Sequence, residues 1–217
     1  MILVPVKNLG QAKQRLAPLL DQARRTALAE AMLADVLASI SRSSRHRAVG
    51  VVTQDGFAVR LARQHGFEVI PELANRGETY AIEQATEYCR SRGAEHSLVI
   101  PADIPLVAPG ELEEIFACAP ASGTVLVPAS DGRGTNAVLR SPPALFPLRF
   151  GNDSFVPHLE AARATHQPCT VLDLPGIGLD IDQAADLRRL SAAEGDTLSQ
   201  KLVRSWDLGE PSLAANQ

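Results

Sequence analysis

The run Ser97-Leu-Val-Ile-Pro-Ala-Asp-Ile-Pro-Leu106 constrains the fold more than any other part of this chain. A short apolar stretch bounded by proline reads as a strand buried on both faces, and such strands belong to parallel sheets covered by helices. The run ends on one carboxylate, Asp103, at the carboxyl end of the strand, where open α/β sheets receive ligands. Burying a carboxylate there costs several kcal/mol unless it is paired or holds a cation. Asp103 is therefore either a metal ligand or a helix cap.

Similar runs recur along the chain and alternate with helical patterns. Ile2–Val6 reads as the first strand and leads into a basic loop, Lys7 to Arg15. Asp21 can cap a helix to about Ile40, because Leu28, Met32, Val36 and Ile40 repeat at the spacing of one helix face. Strands are expected at 48–53, 67–71, 98–100 and 125–127, with helices at 57–65, 78–92 and 109–118; Gly93 stands where the 78–92 helix needs a left-handed residue to stop. This alternation predicts a mainly parallel sheet with right-handed crossovers. After Pro128 the pattern changes to a loop, Asp131-Gly-Arg-Gly-Thr-Asn136, and a short strand at 137–140. A helix at 155–165 follows, then an extended stretch from Thr170 through Pro175-Gly-Ile-Gly to Asp182, and a helix at about 183–190. No linker or repeat interrupts residues 1–205, which read as one domain; residues 206–217 read as a disordered tail.

At 217 residues the chain can bury one substantial core. Its net charge of −4 argues against a nucleic-acid partner, since phosphate backbones select basic surfaces. No basic, apolar leader and no run of 18 apolar residues occurs, so neither a secretory signal nor a membrane span is expected, and the protein reads as cytoplasmic. Cys89, Cys118 and Cys169 are odd in number and widely spaced, which suggests buried free thiols rather than a disulfide or zinc framework.

Four segments can carry chemistry. Asp180 and Asp182 are two apart, so in an extended stretch both point one way while Ile181 points the other. With Asp103 they would make an oxygen site suited to magnesium; alternatively Asp182 caps the following helix. Lys7, Lys13 and Arg15 follow the first strand, where such folds receive phosphates, or else form a solvated basic loop. Gly132-Arg-Gly-Thr-Asn136 offers backbone N–H groups, a hydroxyl and an amide to an anion, or is a plain hairpin turn. In Arg149-Phe-Gly-Asn-Asp-Ser154, Gly151 and the helix start can hold a phosphate or carboxylate, or Ser154 or Asp153 simply caps the helix. His158 reads as a surface or core histidine. The chain has neither G-x-x-x-x-G-K-[ST] nor G-x-G-x-x-G.

Val4-Pro-Val-Lys-Asn8 with Ala12-Lys-Gln-Arg-Leu16, Ile100-Pro-Ala-Asp-Ile-Pro-Leu106, Gly134-Thr-Asn136, Phe150-Gly-Asn-Asp-Ser154 with His158, and Asp180-Ile-Asp182 follow one another in this order. Each is weak alone, but the ordered set, spread over nearly the whole chain, resembles the 2-phospho-L-lactate guanylyltransferase family of coenzyme F-420 biosynthesis. Bacterial members that look alike use phosphoenolpyruvate, and some use 3-phosphoglycerate. The resemblance implies a three-layer α/β/α Rossmann-like sandwich of the nucleotide-diphospho-sugar transferase type, with a mixed, mainly parallel sheet. It also implies a nucleotidyltransferase that binds GTP, transfers GMP to a phosphorylated three-carbon acid and releases pyrophosphate. In that reading Asp103, Asp180 and Asp182 hold Mg²⁺, while Lys7, Lys13 and Arg15 contact the triphosphate. Asp103, Lys13 and Arg15 act in catalysis, and Thr135, Gly151 and Ser154 bind the acid. A homodimer is in keeping with such a fold.

The chain departs from the family's pattern at Gly77-Glu-Thr-Tyr80, where a Leu-Asn pair is usual, which leaves the base preference open. Cytidylyltransferases and molybdenum-cofactor nucleotidyltransferases are the nearest rivals, but they carry a glycine-rich G-x-G-T-R loop after the first strand. Glycosyltransferases share the Asp-x-Asp pattern and the fold. A non-catalytic nucleotide-binding module would have no need of all three carboxylates and all three loop cations.

Overall fold

The computed structural model describes residues 1–44, 48–72, 78–151 and 153–206. Chain order is β1 (Ile2–Val6), α1 (Gln22–Arg42), β2 (Val49–Thr53), α2 (Gly56–Gln64), β3 (Glu68–Ile70), α3 (Glu78–Ser91), β4 (Ser97–Val99), α4 (Pro109–Ala117) and β5 (Gly123–Pro128). Then come β6 (Thr135–Ser141), α5 (Phe155–Ala164), β7 (Cys169–Val171), α6 (Pro175–Gly178), α7 (Ala184–Ala192) and α8 (Leu198–Arg204). Two short 3-10 turns, Leu9–Gln11 and Gln14–Leu16, shape the loop between β1 and α1. Asp21 caps α1 as its position predicts, with Oδ1 accepting from the Arg24 N–H at 2.8 Å.

The seven strands form one sheet in the order β3-β2-β1-β4-β6-β5-β7. β1 pairs in parallel with β2 and β4, β2 with β3, and β5 with β7, whereas β6 runs antiparallel to both β4 and β5. The sheet is thus mixed and mainly parallel, as expected, with helices on both faces. On one face Ile2, Val4, Val51, Leu98 and Val125 pack against Leu33 and Leu37 of α1, Ala58 of α2 and Ile115 of α4. On the other, Leu3, Val99, Leu126 and Val138 pack against Ile82 and Ala85 of α3 and Ala162 of α5. Alternate residues of one strand serve opposite faces, which is why its sequence is apolar throughout instead of alternating. No helix among the described residues is long and apolar enough to cross a membrane.

A third cluster lies off the sheet. Leu16, Leu20, Leu28, Met32, Leu179, Ile181, Leu187, Leu190 and Val203 are buried together, with Trp206 packed against them. It joins the β1–α1 loop, α1, α7 and α8 around the Asp180–Asp182 segment. The Ile181 N–H also donates to the Asp103 carbonyl at 3.1 Å, tying this segment to the end of β4.

Several expectations are corrected here. The stretch from Thr170 to Asp182 is not continuously extended: β7 ends at Val171, and Pro175–Gly178 turns as a short helix. Asp182 does not cap the next helix; Gln183 is the N-cap, and Asp186 accepts from the N–H groups of Asp182 and Gln183. A helix is present at Leu198–Arg204, where the sequence analysis gave none. Its start is held by Asp35 of α1, whose carboxylate accepts from the N–H groups of Leu198 and Ser199 at 2.8 Å each. All three cysteines are free, but only Cys89 is buried; Cys118 is exposed at the end of α4 and Cys169 half-buried in β7. Trp206, placed by the sequence at the head of the tail, has the Arg24 guanidinium 5.9 Å over its ring; residues 207–217 lie outside the described residues, as do Gly77 and Asn152.

Ile181 is fully buried between its two flanking aspartates. Ile181→Ala is expected to lower the unfolding free energy by about 2–5 kcal/mol, the usual range for truncating a core isoleucine. Chemical denaturation measures this, and a loss below about 0.5 kcal/mol would mean that the segment is not anchored through this cluster.

Candidate active site

Strand order reverses between β1 and β4, so the crevice at their carboxyl ends is the topological switch point of the sheet. Two cavities open there and share Pro5, Pro101 and Asp103 as wall. The first, of about 730 Å³, is lined by Lys7, Asn8, Lys13, Gln54, Asp55, Glu72 and Asp103 among others. The second, of about 460 Å³, is lined by Arg15, Arg133, Thr135, Gly151, Ser154, Asp180 and Asp182 as well as Asp103. Both lie in the size range of small-ligand sites. Every candidate residue named from the sequence faces one or both, although the loop cations separate: Lys7 and Lys13 line the first cavity, Arg15 the second.

Lys13 lies at the junction. Its Nζ donates to Asp103 Oδ2 at 2.6 Å and to Asp182 Oδ1 at 2.9 Å, and its side chain is only 7% exposed. Burial works against the ammonium, but the two carboxylates outweigh it and raise the Lys13 pKa above its ordinary value. Arg15 adds a 3.1 Å contact from its guanidinium to Asp182 Oδ2. Against the cost of burial, the Lys13 and Arg15 charges hold the Asp182 carboxyl below its usual range. Asp180 goes the other way. Burial raises its pKa, and the nearby charges of Asp103 and Asp182 add to that against an opposing hydrogen bond from Asn136 Nδ2 at 3.0 Å. The predicted geometry of the pair holds, because both aspartates line the second cavity while Ile181 turns into the core.

Lys13 reaches this position from a left-handed backbone, φ 56° and ψ 42°, which a residue with a side chain adopts at a cost. Its two ion pairs, to Asp103 and Asp182, hold it there. Among the described residues no three Asp, Glu, His or Cys side chains converge on one point as a ready-made metal site. The donor chemistry nonetheless suits Mg²⁺, which needs only one or two carboxylates and completes its shell with water and phosphate oxygens. Asp103, Asp180 and Asp182 supply such oxygens along one wall, and Lys13 supplies positive charge between two of them.

The other side of the second cavity comes from the β5–β6 hairpin and the start of α5. Asp131 Oδ1 accepts from the N–H groups of Arg133 and Gly134, so the glycine loop is a hairpin turn and also cavity wall. Ser154 stands at the N-cap of α5 without capping it; its Oγ accepts instead from the Thr135 N–H at 3.0 Å. Gly151 has φ 134°, a conformation strained for any residue with a side chain. Arg133 spans the cavity to Asp153 with two N–H donors, one of them 3.1 Å from Oδ2.

His158 is a core histidine, as one reading of the sequence has it, and it positions a cavity residue. Its Nε2 accepts from the Arg149 N–H at 2.9 Å, so its proton sits on Nδ1 and is donated to Thr135 Oγ1, 3.0 Å away. The Thr135 hydroxyl thus receives one hydrogen bond and keeps its own proton for another acceptor. Burial, with the Arg140 charge, pushes the His158 pKa down to about 4.

Sequence reasoning missed Gln54, Asp55 and Glu72, which follow β2 and β3. Asp55 is fully engaged: Oδ1 accepts from the N–H groups of Phe57 and Ala58 and Oδ2 from Leu9 N–H. Gln54 Nε2 donates to the Glu72 carbonyl. Glu72 Oε1 is buried with no hydrogen-bond partner. Strand ends on an open α/β sheet are ligand positions, and that was the available signal.

His158 also gives a pH dependence. Its folded pKa of about 4 lies below the ordinary 6.5, so the unfolded chain takes up the proton first as pH falls. Stability from this group is therefore complete above pH 6.5 and declines toward pH 4 by about 1.4 kcal/mol per unit. Denaturation at stepped pH should show a shallower acid-side loss in His158→Gln than in the parent chain; identical slopes would mean that His158 takes up its proton alike in the folded and unfolded chain.

Comparison with known proteins agrees with this architecture. Residues 1–210 match the family model described as "Guanylyl transferase CofC like". The phosphoenolpyruvate guanylyltransferase of Roseiflexus sp. (strain RS-1) is 38% identical over 210 residues, covering 94% of this chain and 90% of that protein. The 2-phospho-L-lactate guanylyltransferase of Methanothermobacter thermautotrophicus is 32% identical over 202 residues, covering 93% and 88%. A solved structure of nucleotide-diphospho-sugar transferase type from Desulfovibrio desulfuricans G20 superposes with a TM-score of 0.77 at 17% identity, covering 94% of this chain and 93% of that one. At that identity it speaks for the fold, a Rossmann-like α/β sandwich. With a matching family model over nearly its whole length and curated relatives above 30% identity, the chain belongs to the CofC-like guanylyl transferase family.

Proposed function

We propose that this protein transfers GMP from GTP to the phosphate of a small phosphorylated acid, with release of pyrophosphate, in the biosynthesis of coenzyme F-420. The acceptors in view are phosphoenolpyruvate, 2-phospho-L-lactate and 3-phosphoglycerate. The observation that carries this reading is the pair of adjoining cavities that meet at Asp103, in a chain whose relatives are named as guanylyltransferases.

In this reading the first cavity receives GTP and the second the acid. A phosphate oxygen of the acid attacks the α-phosphorus in line; the new O–P bond forms as the bond to the β-phosphate oxygen breaks, and pyrophosphate carries away the electron pair. That nucleophile is already ionised at pH 7, so no side chain need take its proton. Catalysis then rests on positioning and charge. Lys7 and Lys13 offset the triphosphate charge, and Arg15 and Arg133 attract the acid. Thr135 and Ser154 orient it through their hydroxyl protons, the former aligned by His158. Asp103, Asp180 and Asp182 would hold Mg²⁺, which would polarise the phosphate oxygens.

Asp103→Asn should leave a folded protein and abolish most pyrophosphate release, because it removes one charge and little volume; full activity would overturn the role given to Asp103. Thr135→Ala and Ser154→Ala should raise the KM for the acid by about 10-fold each, the value of one hydrogen bond to a charged group, with the KM for GTP unchanged. The decisive experiment is a pyrophosphate-release screen of the four nucleoside triphosphates against the three acids with Mg²⁺. Turnover with GTP and one acid is expected, and absence of turnover with every pair would overturn the proposed function.

A further inference from the structure

We infer that Glu72 reads the guanine base, its carboxylate accepting from the N1–H and the exocyclic N2–H of GTP. This deepens the reading of the first cavity as the GTP site and rests on it.

Glu72 follows β3, the outermost strand on that side, and lines the same cavity as Lys7, Lys13 and Asp103. Along the sheet edge the order is β3, β2, β1, β4, so at a strand spacing of about 4.8 Å the end of β3 lies about 14 Å from that of β4. An extended nucleotide with its phosphates over the β1 loop and its reacting phosphorus beside Asp103 carries its base toward β2 and β3. The base end of the cavity is therefore where Gln54, Asp55 and Glu72 stand.

These three residues differ in what they have left to offer. Asp55 is consumed by three backbone N–H groups. Gln54 donates its amide to the Glu72 carbonyl and so fixes that residue's backbone. Glu72 Oε1 is buried and unpartnered, a costly state for a polar atom. The other buried side-chain atoms without partners among the described residues belong to Arg25, Gln84, Thr124 and Arg140, and none of these lines either cavity. A desolvated acceptor on the wall of a ligand cavity calls for a donor from the ligand.

The chemistry of the bases decides which one. A carboxylate has two acceptor oxygens and no donor. Guanine presents two donors side by side on its Watson–Crick edge. Adenine and cytosine each set a ring-nitrogen acceptor beside their amino group, and uracil flanks its single N–H with carbonyls. Each of those would turn a lone pair toward the carboxylate. A buried polar group built for a donor pair rejects ligands that lack it far more strongly than an apolar wall does.

The test compares GTP with inosine triphosphate, which keeps N1–H and lacks the 2-amino group, in the parent protein, Glu72→Gln and Glu72→Asp. Binding is read by calorimetry and turnover by pyrophosphate release. The parent should prefer GTP over inosine triphosphate by about 10- to 100-fold, the value of a hydrogen bond to a charged group. Glu72→Gln should bring that ratio close to one, through KM with kcat largely kept, because the contact is the same in ground and transition states. Glu72→Asp should weaken GTP yet keep a preference for it, and it serves if the glutamine variant does not fold. A parent ratio near one, or a ratio unchanged in the variants, overturns the assignment of Glu72. If no acid is turned over at all, the reaction proposed above falls, while the calorimetric ratio still decides Glu72.

Discussion

The ammonium of Lys13 is the charge on which this site depends. Two carboxylates that meet at the edge of a sheet, with a third beside them, repel one another, and the Asp180 pKa is raised partly for that reason. Lys13 resolves the repulsion by bridging Asp103 and Asp182, which lie 90 and 169 positions away along the chain. Removing Lys13 would leave both carboxylates without their shared cation, whereas loss of either aspartate still leaves Lys13 one partner. The buried Ile181 and the link from Ile181 N–H to the Asp103 carbonyl hold that arrangement in place.

The sheet sets this junction within a larger plan. Its first three strands run outward in one direction from β1, and β4 begins the other half, which opens the crevice. Beyond β4, the antiparallel β6 brings its amino-terminal end, with Thr135 and Asn136, to the edge where the parallel strands present their carboxyl ends. One reversed strand therefore lets the β5–β6 hairpin and α5 face the loops of β1 and β4. Asn136 uses that position to hold Asp180 and the Ile177 carbonyl together.

Much of the fold was legible because buried parallel strands are written as unbroken apolar runs: Ile2–Val6, Val49–Thr53 and Ser97–Val99 lie within two residues of where the patterns put them. The direction of β6 was not legible, since a single apolar run carries no sign of parallel or antiparallel pairing. Pro175-Gly-Ile-Gly reads as a breaker, yet it turns as a helix because the Gly178 N–H reaches the Leu174 carbonyl at 2.7 Å. The helix at Leu198–Arg204 did leave a signal, a Thr197-x-x-Gln200 capping box, in a stretch too short for its periodicity to be seen. The acidic residues and cations of the site could be picked out by type. That Lys13 sits between two of the aspartates could not, for such a pairing is set by the tertiary fold.

The wall shared by the two cavities has a kinetic consequence. Pro5 and Pro101, which form part of it, are rigid and lack N–H donors, so neither can donate a backbone hydrogen bond to a bound substrate. The two cavities adjoin at Asp103, and Lys13 at their junction is kept as an ammonium by Asp103 and Asp182, so it is not a nucleophile that would carry a nucleotidyl group from one to the other. With GTP in the first cavity and the acid in the second, as proposed, both reactants are seated at once in a ternary complex, and the first arrival waits beside Asp103 for the second.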